Sequence, residues 1–345
     1  MTTMKQAIGV LTLAVCQLTA GKQKQSTEIR EDFKTMTRFI LTILAFSILT
    51  IGCNAQKTTN PKTAKVFLDN DTTKNCYTII FPSAVPIKGY IFLLPGFSES
   101  AERVMQQSSL PRQLAESGLL TIIPTLQDGV FSFGIDDSSQ QSFAKIVADV
   151  RKRNNITDQS FYLGGYSIGG SCVLKYAEEI DQKPNAVFAI DPPIDFEQVY
   201  NSCKRNIRLS VNTQPNGESV FLVKKIQEIM HGTPENSIAN YHEISPYSFS
   251  DTTQTAIKNL LKVPLRIYTE PDIHWWMKER GMDYTSMNST FLSAMVNELN
   301  QLGNENATLI TTQNKGYRKP DNSRHPHSWS IVDNEELIKW LLKQQ

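Results

Sequence analysis

The chain has 345 residues, enough to bury one large core or two modest ones. Apolar residues make up 40 % and charged residues 20 %, which is typical of globular proteins. The 35 basic and 34 acidic residues leave a formal net charge of +1, which argues against both a basic nucleic-acid-binding surface and an acidic tail. No C-x-x-C or metal-finger spacing relates the five cysteines, which are Cys16, Cys53, Cys76, Cys172 and Cys203.

The N-terminal region contains an apolar run that is typical of a secretory signal. Residues 39–52 are predominantly apolar, follow Arg38 and precede Cys53. A run of about 14 residues is short for a bilayer span but suits the apolar core of a signal. Its end resembles a bacterial lipoprotein cleavage site, although Thr50 stands where an aliphatic residue is usual. The resemblance implies an exported protein, periplasmic or on the outer surface, with a lipid anchor on Cys53.

This interpretation divides the chain into four parts. Residues 36–53 are the signal segment, which begins at Met36, and residues 1–35 are an upstream extension. Residues 54–63 form a polar linker, and residues 64–345 form the folded domain. Two alternatives stay open. The apolar stretch 7–20 could be a first signal that ends near Cys16, and residues 39–52 could be an uncleaved membrane helix.

Within the domain, apolar runs predict strands that alternate with helices. The strands are predicted at residues 66–68, 76–81, 89–94, 119–124, 161–166, 186–190, 263–269 and 307–311. The helices are predicted at residues 101–117, 140–153, 173–177, 220–230, 255–261 and 289–302, with a terminal helix whose apolar positions run from residue 331 to 341. This alternation predicts an α/β fold in which a mostly parallel sheet is covered by helices on both faces. It breaks between residues 194 and 261.

A serine lies at the turn between a predicted strand and the helix that follows it. The sequence there is Gly165-x-Ser167-x-Gly169, and glycines at these positions let strand and helix approach closely. The pattern resembles the nucleophile elbow of the α/β-hydrolase superfamily, which implies the α/β-hydrolase fold and makes Ser167 the nucleophile. The alternative is a glycine-rich turn without catalytic function.

The resemblance also implies an oxyanion hole and a cap. In this superfamily the loop after the third predicted strand supplies one backbone N–H, which here belongs to Phe97, and the residue after the nucleophile, Ile168, supplies the second. Pro95 stands where the superfamily commonly has histidine. The insertion at about 194–261 is expected to form a small helical cap over the site; the alternative is an enlarged surface connection.

The remaining candidates follow in the chain order of the superfamily. Asp272, after the strand at 263–269, is the expected acid, and Glu270 is the alternative. The loop before the terminal helix reads His-Pro-His-Ser-Trp; His327 is the expected base and His325 the alternative. The order Ser167, Asp272, His327 is that of α/β-hydrolases.

These residues predict a serine hydrolase that cleaves a carboxylic ester through a Ser-His-Asp triad and an acyl-enzyme. Its substrate is expected to be a small molecule or an acyl compound, without nucleic acid, metal or organic cofactor. Trp275 and Trp276 could line the pocket or anchor the core. The alternatives are a peptidase or acyltransferase with the same triad, and an exported binding protein that keeps the fold without turnover.

Overall fold

The computed structural model describes residues 61–83, 85–210 and 217–345. The upstream extension 1–35, the signal segment 36–53, the proposed anchor Cys53 and most of the linker therefore lie outside the described residues. Within the described part of the chain, no helix combines the length and apolar character that a bilayer span requires. The folded domain predicted from residue 64 begins one residue earlier, at the first strand.

Eight strands of the described chain form one twisted sheet in the order β1-β2-β4-β3-β5-β6-β7-β8. In this order every pair of neighbours from β4 through β3 to β8 is parallel. At one edge of the sheet β2 pairs antiparallel with both β1 and β4. The bounds are β1 Thr63–Phe67, β2 Cys76–Ile80, β3 Gly89–Leu94, β4 Leu119–Thr125, β5 Ser160–Tyr166, β6 Ala186–Ile190, β7 Leu265–Thr269 and β8 Ala307–Thr311. A small hairpin follows, with β9 Tyr317–Arg318 and β10 Ser323–Arg324.

Helices connect the strands of the sheet. They are α1 Ala101–Gln107, α2 Leu110–Glu116, α3 Asp137–Arg153, α4 Ile168–Glu179, α5 Phe196–Leu209, α6 Gly217–Ile229, α7 Pro234–Ile244, α8 Thr255–Lys258, α9 Ile273–Arg280, α10 Asn288–Gln301 and α11 Asn334–Leu342. Short 3-10 turns lie at Tyr284–Ser286 and Trp329–Ile331.

The core lies on both faces of the sheet, as the sequence predicts. Every residue of β3 is buried, and its alternate side chains enter two different clusters. Phe92 packs with Phe143 of α3 in a cluster that α4 and α10 also join. Leu93 belongs to the other cluster, with residues of α1, α2 and α11. The predicted mostly parallel sheet with helices on both faces is thus confirmed.

Two predicted helices differ from the structure. The single helix expected at 101–117 is two helices, separated at Ser108 and Ser109. Pro111 causes the break, because its ring and missing N–H prevent α1 from continuing through it, whereas proline is tolerated in the first turn of α2. The terminal helix begins only at Asn334, where the Asp333 side chain accepts the Glu336 N–H; residues 329–331 form a 3-10 turn instead.

The insertion between β6 and β7 is largely helical. It contains α5, α6, α7 and the single turn α8, of which the sequence predicted α6 and α8. Phe196 and Tyr200 of α5 pack with Ile226 of α6 and Tyr241 of α7, so these helices share an apolar cluster. Ile168, beside the candidate nucleophile, belongs to the same cluster. The insertion therefore packs against the region of the elbow, as expected for a cap.

Candidate active site

Ser167 lies in a sharp turn between β5 and α4. Its backbone has φ 53° and ψ −128°, a conformation that non-glycine residues rarely adopt and that costs on the order of 1–3 kcal/mol. The Ser167 N–H donates to the carbonyl oxygen of Ile190 at 2.8 Å, which ties the turn to the end of β6. The strained turn presents the hydroxyl at the carboxyl edge of the sheet, beside the N-terminus of α4.

Two glycines allow this turn. A Cβ on Gly165 would lie 2.2 Å from the Gly169 carbonyl oxygen. A Cβ on Gly169 would lie 2.3 Å from the carbonyl oxygens of Leu94 and Pro95, at the end of β3. Both contacts are with backbone that cannot move away, so only glycine fits at either position. The spacing seen in the sequence thus follows from the close approach of α4 to β5 and β3.

A continuous chain of hydrogen bonds links Ser167, His327 and Asp191. His327 Nε2 lies 2.9 Å from the Ser167 hydroxyl oxygen. His327 Nδ1 lies 2.7 Å from Asp191 Oδ2. Because a carboxylate only accepts hydrogen bonds, it places the imidazole proton on Nδ1 and leaves Nε2 to accept from the serine hydroxyl. The arrangement can activate the hydroxyl as a nucleophile and stabilise the imidazolium that forms.

Asp191 follows β6 directly and is held from several directions. Its backbone has φ 47°, its N–H donates to the Tyr268 carbonyl at 2.7 Å, and its own carbonyl accepts from Asn288 Nδ2 at 2.8 Å. The hydroxyl of Thr269 donates to Oδ1 at 2.6 Å. These bonds hold a strained residue in place and leave Oδ2 for His327.

The expected acid, Asp272, does not contact His327 in this way, and this prediction is corrected to Asp191. Asp272 Oδ1 accepts the Trp275 N–H at 3.1 Å and caps α9, while Oδ2 lies 2.7 Å from Arg324 Nη2. The alternative Glu270 is buried and also pairs with Arg324, at 2.5 Å. The physical reason is the partner that each carboxylate meets. Arg324 binds both carboxylates after β7, whereas Asp191 keeps Oδ2 for His327.

Glu270 instead fixes the loop after β8. Its Oε2 accepts the Thr312 hydroxyl at 3.0 Å and the backbone N–H of Lys315 at 2.9 Å, and the Gly316 N–H lies 3.2 Å from the same oxygen. A buried carboxylate with these donors and the Arg324 guanidinium is fully occupied. Its role in the fold is therefore structural.

The two histidines of the last loop have different surroundings. His325 is 8 % exposed and packs against Trp275 and Trp276, with ring centroids 4.8 and 5.9 Å away. Burial, helped by the positive charge of Arg318, lowers the pKa of His325 to about 3. Its Nδ1 has no hydrogen-bond partner among the described residues. His325 is thus a neutral, packed imidazole, whereas His327 reaches the serine.

His327 is held by its backbone and its ring. Its carbonyl oxygen accepts the Tyr166 hydroxyl at 2.8 Å and Arg318 Nη2 at 3.2 Å. The Tyr166 ring packs on the imidazole, with centroids 4.8 Å apart. Tyr166, the residue before Ser167, therefore positions the histidine, which limits the movement of Nε2 away from Ser167.

Phe97 and Ile168, the expected oxyanion-hole residues, both line the cavity that contains Ser167. Within the described residues the Phe97 N–H donates no hydrogen bond to protein, and Ile168 is the first residue of α4, where the N–H has no acceptor inside the helix. The carboxylate of Glu99 supports the loop, because Oε2 accepts both the Gly96 N–H at 3.1 Å and Trp329 Nε1–H at 3.0 Å. Glu99 thus joins the Phe97 loop to the His327 loop.

The cavity has a volume of about 640 Å³ and opens onto Ser167 and His327. One part of its lining, here called the apolar wall, is formed by Phe97, Phe133, Phe196, Val199, Phe221 and Leu222. The Phe97 ring lies 5.5 to 5.7 Å from the rings of Phe131, Phe133 and Phe221, which makes this wall aromatic. Trp276 also lines the cavity, whereas Trp275 forms a T-shaped pair with it at 5.1 Å. Helices α5 and α6 supply much of the apolar wall.

Sequence analysis missed Asp191. The signal was present, because an aspartate stands directly after the buried strand 186–190 and before two prolines. Sequential parallel strands are usually neighbours, so this aspartate could be placed beside the elbow, at the edge where the strands end. The preference for a carboxylate after the following strand came from the superfamily pattern, and it outweighed that argument.

Solved structures of several hydrolases share this fold. A carbohydrate esterase from gut microbiota superposes with a TM-score of 0.55 at 15% sequence identity, covering 83% of this chain and 97% of that one. An S-formylglutathione hydrolase from Agrobacterium tumefaciens has a TM-score of 0.53 at 12% identity over 83% and 96% of the two chains. An esterase from Pyrococcus furiosus has a TM-score of 0.52 at 13% identity over 85% and 97%.

No family model and no curated protein matches the chain. Identities of 12 to 15% show a shared fold and leave substrate and activity open. Together with the sheet order, they confirm that residues 61–345, where described, adopt the α/β-hydrolase fold.

Proposed function

We propose that this protein is a serine hydrolase that cleaves carboxylic esters through an acyl-enzyme. The observation that carries the proposal is the hydrogen-bonded chain from Ser167 through His327 to Asp191, with distances of 2.9 and 2.7 Å. This is the constellation that nucleophilic acyl transfer requires, with a nucleophile, its base and a carboxylate that orients the base. The elbow, the cavity and the α/β-hydrolase fold agree with it.

In the first half-reaction the Ser167 oxygen attacks the ester carbonyl carbon while His327 Nε2 takes the hydroxyl proton. Asp191 stabilises the resulting imidazolium through Nδ1–H. The tetrahedral intermediate collapses when the C–O bond to the alcohol breaks and His327 returns the proton to the leaving oxygen. The acyl group then remains on Ser167.

In the second half-reaction water attacks the acyl carbon while His327 takes its proton. The bond between the acyl carbon and the Ser167 oxygen then breaks, His327 returns the proton to Ser167, and the carboxylic acid leaves. In both halves the oxyanion is bound by the N–H groups of Phe97 and Ile168, worth roughly 3–4 kcal/mol per donor. The apolar wall would hold the apolar part of the substrate. A peptidase or an acyltransferase would use the same residues with a different leaving group or acceptor.

A fluorophosphonate probe tests the nucleophile directly. The wild-type protein should be labelled on Ser167, and Ser167→Ala should not be labelled. Ser202→Ala is the matched control, because Ser202 lines the same cavity but donates to the Thr285 carbonyl at 3.0 Å instead of contacting His327. A wild-type protein that resists labelling would favour the alternative of a binding protein without turnover, and labelling of Ser167→Ala would exclude Ser167 as the nucleophile.

We also propose that the enzyme is exported and anchored to a membrane through a lipid on Cys53. The support is the apolar segment 39–52 after Arg38 and the polar linker 54–63 that separates Cys53 from the fold. Mass analysis of the mature protein should find a lipidated Cys53 at its N-terminus. A mature chain that begins at another residue, or that keeps the segment 39–52, would contradict the anchor.

A further inference from the structure

The cavity around Ser167 contains arginines that differ in their pairing. Arg103, Arg280 and Arg318 all line it. Arg280 has a carboxylate partner, since Nη1 lies 3.8 Å from Glu218. Among the described residues, neither Arg103 nor Arg318 has a carboxylate within ion-pair distance. Unpaired guanidinium groups on the wall of an enzyme cavity are well suited to bind an anion, because they offer several donors in a fixed plane.

Hydrogen bonds tie together the two chain segments that carry Arg103 and Arg318. The Gln107 side chain of α1 bonds twice to the backbone of Lys319, accepting its N–H at 3.0 Å and donating to its carbonyl. Arg318 is the residue next to Lys319, and Arg103 lies one helical turn before Gln107 on the same face of α1. We call Arg103, Gln107 and Arg318 the arginine wall.

Arg318, one member of the arginine wall, lies close to the reacting groups. Arg318 Nη2 donates to the His327 carbonyl at 3.2 Å, so its guanidinium borders the residue that contacts Ser167. Arg318 also interacts with the Tyr166 hydroxyl, and since both partners are uncharged, neither neutralises the guanidinium. Arg318 is half-buried in the cavity lining, where an anion would interact with it more strongly than in water.

The carboxylates of the cavity are largely committed elsewhere. Asp191 pairs with His327, Glu270 with Arg324 and Glu218 with Arg280. Asp195 caps α5 by accepting the Gln198 N–H at 3.1 Å. Glu99 is the carboxylate that shares the neighbourhood of the arginine wall, and its Oε2 accepts from two uncharged N–H donors. At the arginine wall two guanidinium groups therefore share one carboxylate, whereas the charges of Asp191 and Asp195 lie in other parts of the cavity lining, on His327 and at the start of α5.

From this arrangement we propose that the preferred substrate is an ester that carries a carboxylate, bound by Arg318 and Arg103, with its apolar part on the apolar wall. This inference rests on the proposed function and specifies its substrate class. The anion could belong to the acyl group or to the alcohol. Both arrangements keep the scissile carbonyl at Ser167 and use the same two arginines.

Matched ester pairs test the proposal. For the acyl side, p-nitrophenyl hexanoate is compared with the p-nitrophenyl monoester of adipic acid. For the alcohol side, 3-carbamoylphenyl butyrate is compared with 3-carboxyphenyl butyrate. We expect the wild-type enzyme to show a higher kcat/KM for the charged member of at least one pair, and we expect added salt to reduce this preference.

For each variant we compare the ratio of kcat/KM for the charged ester to kcat/KM for the neutral ester. Arg318→Gln should lower this ratio by roughly 10- to 100-fold, as expected for losing a charged hydrogen bond. Arg103→Gln should lower it less, because Arg103 is exposed, and Arg318→Lys should restore part of the preference. Loss of the bond to His327 would change the chemical step for both esters alike, so this effect cancels in the ratio. Arg112→Gln, on α2, is the control and should leave the ratio unchanged.

Three outcomes would overturn the proposal. Hydrolysis of the neutral esters without preference for either charged ester would refute it while leaving the hydrolase proposal intact. A preference that survives in the Arg103→Gln/Arg318→Gln double variant would show that other residues bind the anion. If none of the four esters is hydrolysed and the fluorophosphonate does not label Ser167, the hydrolase proposal fails and this inference fails with it.

Discussion

The carboxyl ends of β6 and β7 are neighbours in the sheet, and both are followed by carboxylates. After β6, Asp191 contacts the imidazole of His327; after β7, Glu270 and Asp272 contact the guanidinium of Arg324. Both contacting residues, His327 and Arg324, lie in the segment between β8 and α11. The comparison shows that the available side-chain partner decides which carboxylate contacts the histidine, because Arg324 binds both carboxylates after β7 and leaves only Asp191 for His327.

The two ends also differ in what they stabilise. At the end of β6, the bonds from Thr269, Asn288 and the Tyr268 carbonyl hold Asp191 in a strained conformation and leave one oxygen for His327. At the end of β7, both carboxylates share one guanidinium, and Glu270 also binds the loop after β8. We therefore expect changes near β6 to affect turnover and changes near β7 to affect stability.

The largest expected effect is on turnover and comes from the two histidines. His327 contacts Asp191 after β6, and His325 packs against α9, which follows β7. His327→Ala should lower kcat for a p-nitrophenyl ester by about 10⁴-fold or more, because the base is lost. His325→Ala should lower it by less than about tenfold, because its packed imidazole does not contact Ser167. Steady-state kinetics of both folded variants measure the contrast. Equal losses of kcat in the two variants would show that His327 and His325 do not have the different roles assigned to them.

The next effect concerns stability at the end of β7. Glu270→Gln removes the negative charge from a buried group that pairs with Arg324, and it should reduce the free energy of unfolding by about 3 kcal/mol. Asp272→Asn, at a more exposed position, should reduce it by less than about 1 kcal/mol, since asparagine can still cap α9. Denaturant unfolding measures both. The Glu270→Gln protein that remains folded should still be labelled at Ser167; loss of labelling in fully folded protein would point to a role in catalysis.

A third effect is a pH dependence of stability from His325. Its folded-state pKa is lowered to about 3, chiefly by burial and then by the charge of Arg318, whereas an unfolded histidine titrates near ~6.5. Below that value the unfolded chain binds a proton that the folded protein excludes. The stabilisation is therefore present above about pH 6.5 and is lost as the pH falls toward 3.

His325→Gln isolates this contribution. The difference in unfolding free energy between wild type and variant should change with a slope that approaches about 1.4 kcal/mol per pH unit between roughly pH 6 and pH 4. Unfolding curves at several pH values measure it. Parallel pH dependences of the two proteins would show that His325 is protonated in the folded state.

Much of the fold could be predicted from the sequence, because local patterns determine it. The buried strands are apolar runs, and the elbow glycines follow from backbone contacts that admit no Cβ. The break at Pro111 was also readable, since proline disfavours the interior of a helix. Helix α5 was readable too, since Asp195 stands at its N-cap and Phe196, Tyr200 and Cys203 recur at helical spacing. Helix α7 has no such pattern, because only Pro234 and Tyr241 among its residues are buried.

The acid was harder to predict, because it depends on contacts between distant parts of the chain. Asp191 and His327 are 136 residues apart, and Asp272 lies closer to His327 in sequence. Asp272 does not serve His327 because the guanidinium of Arg324 binds both carboxylates after β7. Neither strand spacing nor residue type shows that competition, whereas the side-chain contacts do.

The central claim is that Asp191, after β6, serves His327 and that the carboxylates after β7 do not. The most direct test compares kcat/KM of Asp191→Asn and Asp272→Asn for one p-nitrophenyl ester. Asparagine keeps the shape but donates where the carboxylate accepts, so Asp191→Asn should lower kcat/KM by about 10³- to 10⁴-fold. Asp272→Asn should stay within about threefold of the wild type. A large loss in Asp272→Asn together with near-normal turnover in Asp191→Asn would contradict the account.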